Sequence, residues 1–190
     1  MYDKLQSILN QHIRLTEDNW ILVKDRFRPL PFKKKEKLLD IDQVAKHFYF
    51  INSGIMRLYG YKDGEEKTLF FFKENMIASS IDSFLDQSAS SLVLEALTDM
   101  ETLAISVENL QELYLLSPDM TRIGLLLTQY RLSYVMKLFS SFVLDSPEER
   151  YNSFMEEQPD LLLEIPHHII ASFLGITPVS LSRIRKRISR

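Results

Sequence analysis

The sequence predicts an α+β fold made of an N-terminal antiparallel β-roll, one long helix and a C-terminal helix-turn-helix. Three observations carry this. Between residues 27 and 107, short alternating or apolar runs are separated by turn residues, the pattern of antiparallel strands. From Pro118 to about Leu144, apolar residues recur every three or four positions without a break, as one long helix requires. Near the end, two short amphipathic segments flank Gly175-Ile176-Thr177, the layout of paired helices across a tight turn.

The first element is a helix over residues 2–15, with Leu5, Ile8, Leu9 and Ile13 at helical spacing. Thr16-Glu17-Asp18 opens a second helix carrying Trp20, Ile21 and Val23, the hydroxyl and two carboxylates suiting a helix start. Pro29 and Pro31 end the helical character, because a proline ring removes a donor and clashes with the preceding turn. Strands are expected at 37–41, 47–51, 55–61, 67–72, 92–97 and 102–107. Asn52-Ser53-Gly54 and Lys62-Asp63-Gly64-Glu65 read as two successive hairpin turns; the Asp-Gly pair suits a type I′ turn, since both residues accept positive φ. The interval 78–91 is polar and serine-rich, and 108–116 reads as a short helix.

Ser117-Pro118-Asp119 starts the long helix, whose apolar residues cover more than one face: Ile123, Leu126, Tyr130 and Leu138 along one, with Leu125, Leu132, Val135 and Phe139 beside them. Such a helix needs two packing partners, expected to be the β-domain and a second copy of itself across a two-fold axis. The alternative is that one chain covers both faces. Asp145-Ser146-Pro147 reads as a hinge, 148–157 as a helix with Tyr151, Phe154 and Met155 on one side, and two proline-containing triplets at 158–160 and 164–166 punctuate the path onward. Three parts are expected: 1–116, a β-roll with N-terminal helices; 117–145, the long helix; and 146–190, the helix-turn-helix.

Composition narrows the chemistry. The chain has 190 residues, 45% of them hydrophobic, enough to bury a core, and no cysteine. That rules out disulfides, zinc–thiolate sites, iron–sulfur clusters and thiol nucleophiles on this chain. The four histidines, His12, His47, His167 and His168, do not stand at metal-ligand spacing with an acidic partner, so neither a metal nor another cofactor is expected. With no apolar run long enough to span a bilayer and no signal-peptide core at the start, a cytoplasmic protein with no membrane partner is expected.

Charge is distributed unevenly. Residues 165–190 carry Arg183, Arg185, Lys186, Arg187 and Arg190 with no Asp or Glu, a balance of +5, and leave 18 basic against 26 acidic residues elsewhere. A basic terminus on an acidic body suits a polyanion, because each neutralised phosphate releases counterions while the body is repelled. Thr177-Pro178 is a strong helix start, a capping hydroxyl followed by a ring that pre-sets φ. At about 100° per residue, Leu181, Ile184 and Ile188 then share one face and Val179, Ser182, Arg183, Lys186 and Arg190 the other. The expected partner is double-stranded DNA, with Arg183 the foremost base-reading candidate, Ser182 and Lys186 beside it, and Arg185, Arg187 and Arg190 assigned to phosphates.

Helical preamble, β-roll, long helix, hinge and terminal helix-turn-helix together resemble the Crp/Fnr superfamily of bacterial transcription regulators. The words SPEERYNSFMEEQPDLL and IASFLGITPVSLSRIRKRI are similar to those of its Bacteroidetes members. The resemblance implies a homodimer with a cyclic nucleotide-binding-like β-roll, whose two recognition helices enter successive major grooves of a near-palindromic site, half-sites about 34 Å apart. RNA polymerase is then a candidate partner. Carried over by position, the recognition-helix residues are Pro178, Val179, Ser180 and Arg183, after the cap Thr177, and Arg183 matches the arginine aimed at a guanine edge. Val179 departs from the glutamate common in relatives; valine cannot accept from a cytosine amine but can touch a thymine methyl, so a changed base preference is expected. His167 matches a position that contacts the DNA backbone.

The same resemblance places the family's phosphate-binding cassette at 77–91, where Ser79 stands in place of the glutamate and Ala89 in place of the arginine. No Arg lies between Arg57 and Arg122 and no Lys between Lys73 and Lys137, while Asp82 and Asp86 would repel a phosphate. Burying an unpaired phosphate is costly, so cyclic AMP binding in the usual manner is not expected. Ser79, Ser80, Asp82, Ser83, Ser90 and Ser91 remain candidates for an unknown small-molecule effector, against a vestigial pocket filled by Phe84 and Leu85. Two other readings compete. A cupin-like β-barrel metalloenzyme would need several converging histidines, whereas His47 is the one histidine within 27–107, and no His-Asp pair stands ready to activate the serines; no enzymatic activity is expected. A protein-interaction module with a basic tail is the other.

Overall fold

A computed structural model describes residues 1–188. Two N-terminal helices, α1 (Asp3–His12) and α2 (Glu17–Arg26), precede the strands, and Thr16 caps α2 by accepting from the Asn19 amide at 3.3 Å. Eight strands follow: β1 (Arg28–Pro29), β2 (Lys37–Leu39), β3 (His47–Ser53), β4 (Met56–Lys62), β5 (Glu65–Phe72), β6 (Ile77–Ala78), β7 (Val93–Ala96) and β8 (Glu101–Ser106). They form two four-stranded sheets, in the orders β1-β8-β3-β6 and β2-β7-β4-β5. The helices α3 (Ile81–Asp86) and α4 (Val107–Leu116) interrupt and close this region. Then come α5 (Pro118–Leu144), α6 (Pro147–Glu157), α7 (Pro159–Glu164), α8 (His167–Phe173) and α9 (Pro178–Ile188).

The six expected strands are present with boundaries moved by at most two residues, and the long helix runs over Pro118–Leu144 as expected. One of the expected turns is corrected. Of the two turns read as hairpins, Lys62–Glu65 is one, with Asp63 at φ 55° and Gly64 at φ 78°, as a type I′ turn needs. Asn52-Ser53-Gly54 is not, because β3 and β4 lie in different sheets. Gly54 makes that crossing possible: its φ is +96°, and a Cβ there would stand 2.6 Å from the Asp99 carbonyl oxygen, so the chain turns where only glycine fits. The serine-rich interval also contains more order than its polarity suggested, namely β6 and α3. The stretch from the first proline triplet to the second likewise holds a helix, α7.

Contact density divides the chain into two compact units, Met1–Tyr59 with Phe71–Gln129, and Gly60–Phe70 with the chain from Tyr130 onward. This differs from the three-part division read from the sequence: the boundary falls inside α5, and the β4–β5 hairpin tip goes with the C-terminal helices. The core of the first unit joins Leu5 and Leu9 of α1, Val23 and Phe27, Phe50, Leu103 and Ile105 of the sheet, and Leu113, Met120 and Ile123. In the same unit Arg57 is 4% exposed. It stands opposite Glu95 in the β4–β7 register, its Nε donates to Glu95 Oε2 at 2.7 Å, and its guanidinium lies 4.0 Å from the centre of the Tyr59 ring.

A buried ion pair broken on one side leaves an uncompensated charge. Glu95→Ala is therefore expected to lower stability by about 3–5 kcal/mol, seen as a lower urea midpoint. Arg57→Met combined with Glu95→Leu is expected to recover most of that loss.

Candidate nucleic-acid interface

The interface is built upward from α6. Ser146 and Glu149 form a reciprocal cap at its start: Ser146 Oγ accepts from the Glu149 amide at 3.3 Å, and Glu149 Oε2 accepts from the Ser146 amide at 2.8 Å. Tyr151 and Phe154 of α6 are buried, together with Leu161, Ile165, Ile169, Ile170, Phe173 and Leu174. Leu181 and Ile184 of α9 are also buried, 1% and 4% exposed, whereas Ile188, expected on the same packed face, is 40% exposed in the last turn.

The turn between α8 and α9 is set by backbone geometry. Gly175 has φ +69°, a left-handed value that glycine reaches without strain. The Ile176 amide donates to the Ala171 carbonyl at 3.0 Å, closing the end of α8. Thr177 then caps α9, its Oγ1 accepting from the Ser180 amide at 3.2 Å. Arg150 braces the turn from behind, donating through Nε to the Leu174 carbonyl at 3.1 Å and through Nη1 to the Asp145 carbonyl at 2.7 Å.

This scaffold leaves the outward side of α9 in solvent. Val179 is 61% exposed, and Thr177, Ser182, Arg183, Arg185, Lys186 and Arg187 are exposed, with Ser180 half-buried. Grooves of about 660 Å³ and 610 Å³ flank the helix, one lined by Pro147, Ser180, Arg183 and Arg187, the other by Tyr151, Met155, His167 and Arg185, with Lys186 on the rim of both. Two of the cations have protein partners. Arg185 donates to the His167 ring, 2.7 Å from its Nε2, and Arg187 pairs with Glu148 at 2.7 Å. Arg190 lies outside the described residues.

The serines of the 79–91 interval bond one another and nearby backbone groups. Ser79, Ser80, Ser83 and Ser90 are buried. Ser79 Oγ donates to the His47 carbonyl at 3.0 Å, Ser83 Oγ accepts from the Ala45 amide and donates to the Ser88 carbonyl, and the Ser80 and Ser90 hydroxyls lie 3.0 Å apart. Asp82 accepts from Ser80 Oγ at 2.8 Å, and both Asp82 and Ser91 are exposed. Of the two residues expected to fill a vestigial pocket, Phe84 does pack, stacked 3.9 Å from Phe48. Leu85 does not; it is 66% exposed, because the single short helix α3 turns one face inward and Leu85 lies off it. Burial, opposed by Glu108 and reinforced by Lys46, holds the His47 pKa below its ordinary value. Residues 79–91 hold no lysine or arginine to balance a cyclic phosphate.

Sequence reasoning missed two features. The Arg57–Glu95 pair had a signal: a lone cation between Met56 and Leu58 in an apolar strand, and a lone anion between Leu94 and Ala96. Ser172 of α8, whose hydroxyl bonds backbone groups more than 100 positions away, had none. Among the described residues no group of three or more His, Asp or Glu could hold a metal ion, and no helix is long and apolar enough to cross a membrane.

Residues 29–116 match the family model of the cyclic nucleotide-binding domain. No curated protein sequence matches the chain. Solved structures similar to it include FixK2 from Bradyrhizobium japonicum, at TM-score 0.75 and 18% identity over 86% of this chain and 84% of that one. The c-di-GMP-responsive global regulator CLP of Xanthomonas campestris matches at TM-score 0.70 and 19% identity, covering 92% of each chain. A protein from Eubacterium rectale assigned to the Crp/Fnr family of transcriptional regulators matches at TM-score 0.72 and 22% identity, over 92% of this chain and 84% of that one. The chain shares the fold of these proteins over most of its length.

The cap on α6 has a pH signature. Its hydrogen bonds, first with the Ser146 hydroxyl and then with the Ser146 amide, hold the Glu149 carboxyl below its ordinary value of 4.5. A lowered carboxylate stabilises the fold above the unfolded value and loses that contribution as pH falls through the lowered one. The melting-temperature gap between wild type and Glu149→Gln is therefore expected to be full at neutral pH and to close progressively below about pH 4.5.

Proposed function

We propose that this chain, a cyclic nucleotide-binding domain joined to a helix-turn-helix in the Crp/Fnr fold, is a sequence-specific DNA-binding transcription regulator that acts as a homodimer. The observation that carries the reading is α9 itself. Its apolar side is buried through Leu181 and Ile184, while Val179, Ser182, Arg183 and Lys186 stand in solvent on a helix that carries no acidic residue. Arg183 can reach a guanine edge bidentately, Val179 suits a thymine methyl, and Lys186 with the helix ends suits phosphates. His167 holds Arg185 at the mouth of the second groove and positions it for the DNA backbone. RNA polymerase is the further partner such a regulator acts on.

The homodimer reading rests on α5. Leu125, Leu132, Val135, Met136, Phe139 and Val143 are 42–65% exposed along it, an apolar stripe too long to leave in water. A second copy related by a two-fold axis covers it isologously and gives two α9 helices for one near-palindromic site. The cassette, with its serines engaged internally and no cation in residues 79–91, does not bind cyclic AMP in the usual way. An effector of low charge, or none, fits it better.

Three outcomes follow. Arg183→Ala is expected to relax base preference at one position of a half-site by about 1–3 kcal/mol, whereas Lys186→Ala should weaken all sequences alike and flatten the salt dependence; mobility shifts across a salt series separate the two. Cyclic AMP and cyclic GMP are expected to leave the melting temperature unchanged, and a clear rise with either would contradict the cassette argument. Light scattering after gel filtration should give a dimer for wild type and a monomer for Phe139→Lys.

A further inference from the structure

Strand β5 ends its sheet, and an edge strand points every second carbonyl and amide away from its neighbour. Glu66 and Thr68 supply such a pair, and one side chain satisfies both. The Ser172 hydroxyl of α8 accepts from the Thr68 amide at 2.8 Å and donates to the Glu66 carbonyl at 2.9 Å. A single hydroxyl thus occupies the place of the missing strand. The grip continues along β5: Phe70 meets the Tyr134 ring edge-on at 5.3 Å, and the Tyr134 hydroxyl accepts from Gln158 Nε2 at 3.0 Å.

We infer that Ser172 is a positioning residue that fixes α8, and with it the recognition helix, to the edge of β5, and so prearranges the DNA-reading surface. The inference rests on the DNA-binding reading above. The Ser172 hydroxyl engages Thr68 and Glu66, and Val179, Arg183 and Lys186 stand in solvent, so the bond orients the reading helix without covering it. A helix held in place before binding spares the complex the cost of ordering it.

The test compares wild type, Ser172→Ala and Ser172→Thr for binding to one DNA site across a salt series, with hydrogen exchange read at the Thr68 amide and melting temperature recorded alongside. Ser172→Ala, which removes both hydrogen bonds, is expected to expose the Thr68 amide and to weaken binding roughly tenfold at temperatures where the variant is fully folded. Its salt slope should stay that of wild type, since no phosphate contact is removed. Ser172→Thr, which keeps the hydroxyl, should restore affinity. Unchanged or tighter binding by Ser172→Ala with Thr68 exposed would overturn the inference while leaving the DNA reading intact. Failure of wild type to bind any DNA would sink that reading instead, and the inference with it.

Discussion

The helical end of this chain depends on one packing constraint: α8, with seven residues, and α9, with eleven, are too short to persist alone in water. They are helices because Ile169, Ile170 and Phe173 share a buried interior with Leu181, Ile184, Tyr151 and Phe154. Everything proposed for the outward face follows from that inward one. Leu181 and Ile184 fix the rotation of α9 about its axis, and the rotation decides that arginine and lysine, rather than isoleucine, look out. The turn tolerates little variation: a Cβ on Gly175 would approach the Phe142 ring to 3.1 Å at a backbone angle unfavourable for other residues.

The β-roll shows the opposite economy. Its strands reproduce a cyclic nucleotide-binding domain, yet the hydroxyls at 79–91 close on one another and on nearby backbone groups, and the buried cation Arg57 is taken up by Glu95. Polar groups in this interval are satisfied by the protein, and the proposal of an effector of low charge, or none, rests on that. The same hydroxyls could serve an uncharged molecule only by exchanging one hydrogen bond for another.

What the sequence made legible, and what it hid, separates by range. Asp63-Gly64 announced its turn because the signal is local backbone chemistry. Asn52-Ser53-Gly54 announced only a change of direction, and which sheet the next strand joins is decided by the approach of Asp99, 45 positions away. The long helix was readable from period alone, while α3 was masked by its serines and owes its place to Phe84 stacking on Phe48. In the interface, charge, cap and apolar face were all readable; that His167 and Glu148 engage two of the arginines was not, since nothing in their spacing marks them as partners.

The Arg57–Glu95 pair carries a consequence for descent as well as for folding. Each residue is tolerable only while the other is there, so neither position can drift by single substitutions without passing through a weakened protein. Two sites on different strands are thereby locked as one inherited character. In related chains they should be found to change together or not at all, and where both are apolar the β-roll will have reached its sealed interior by a different route.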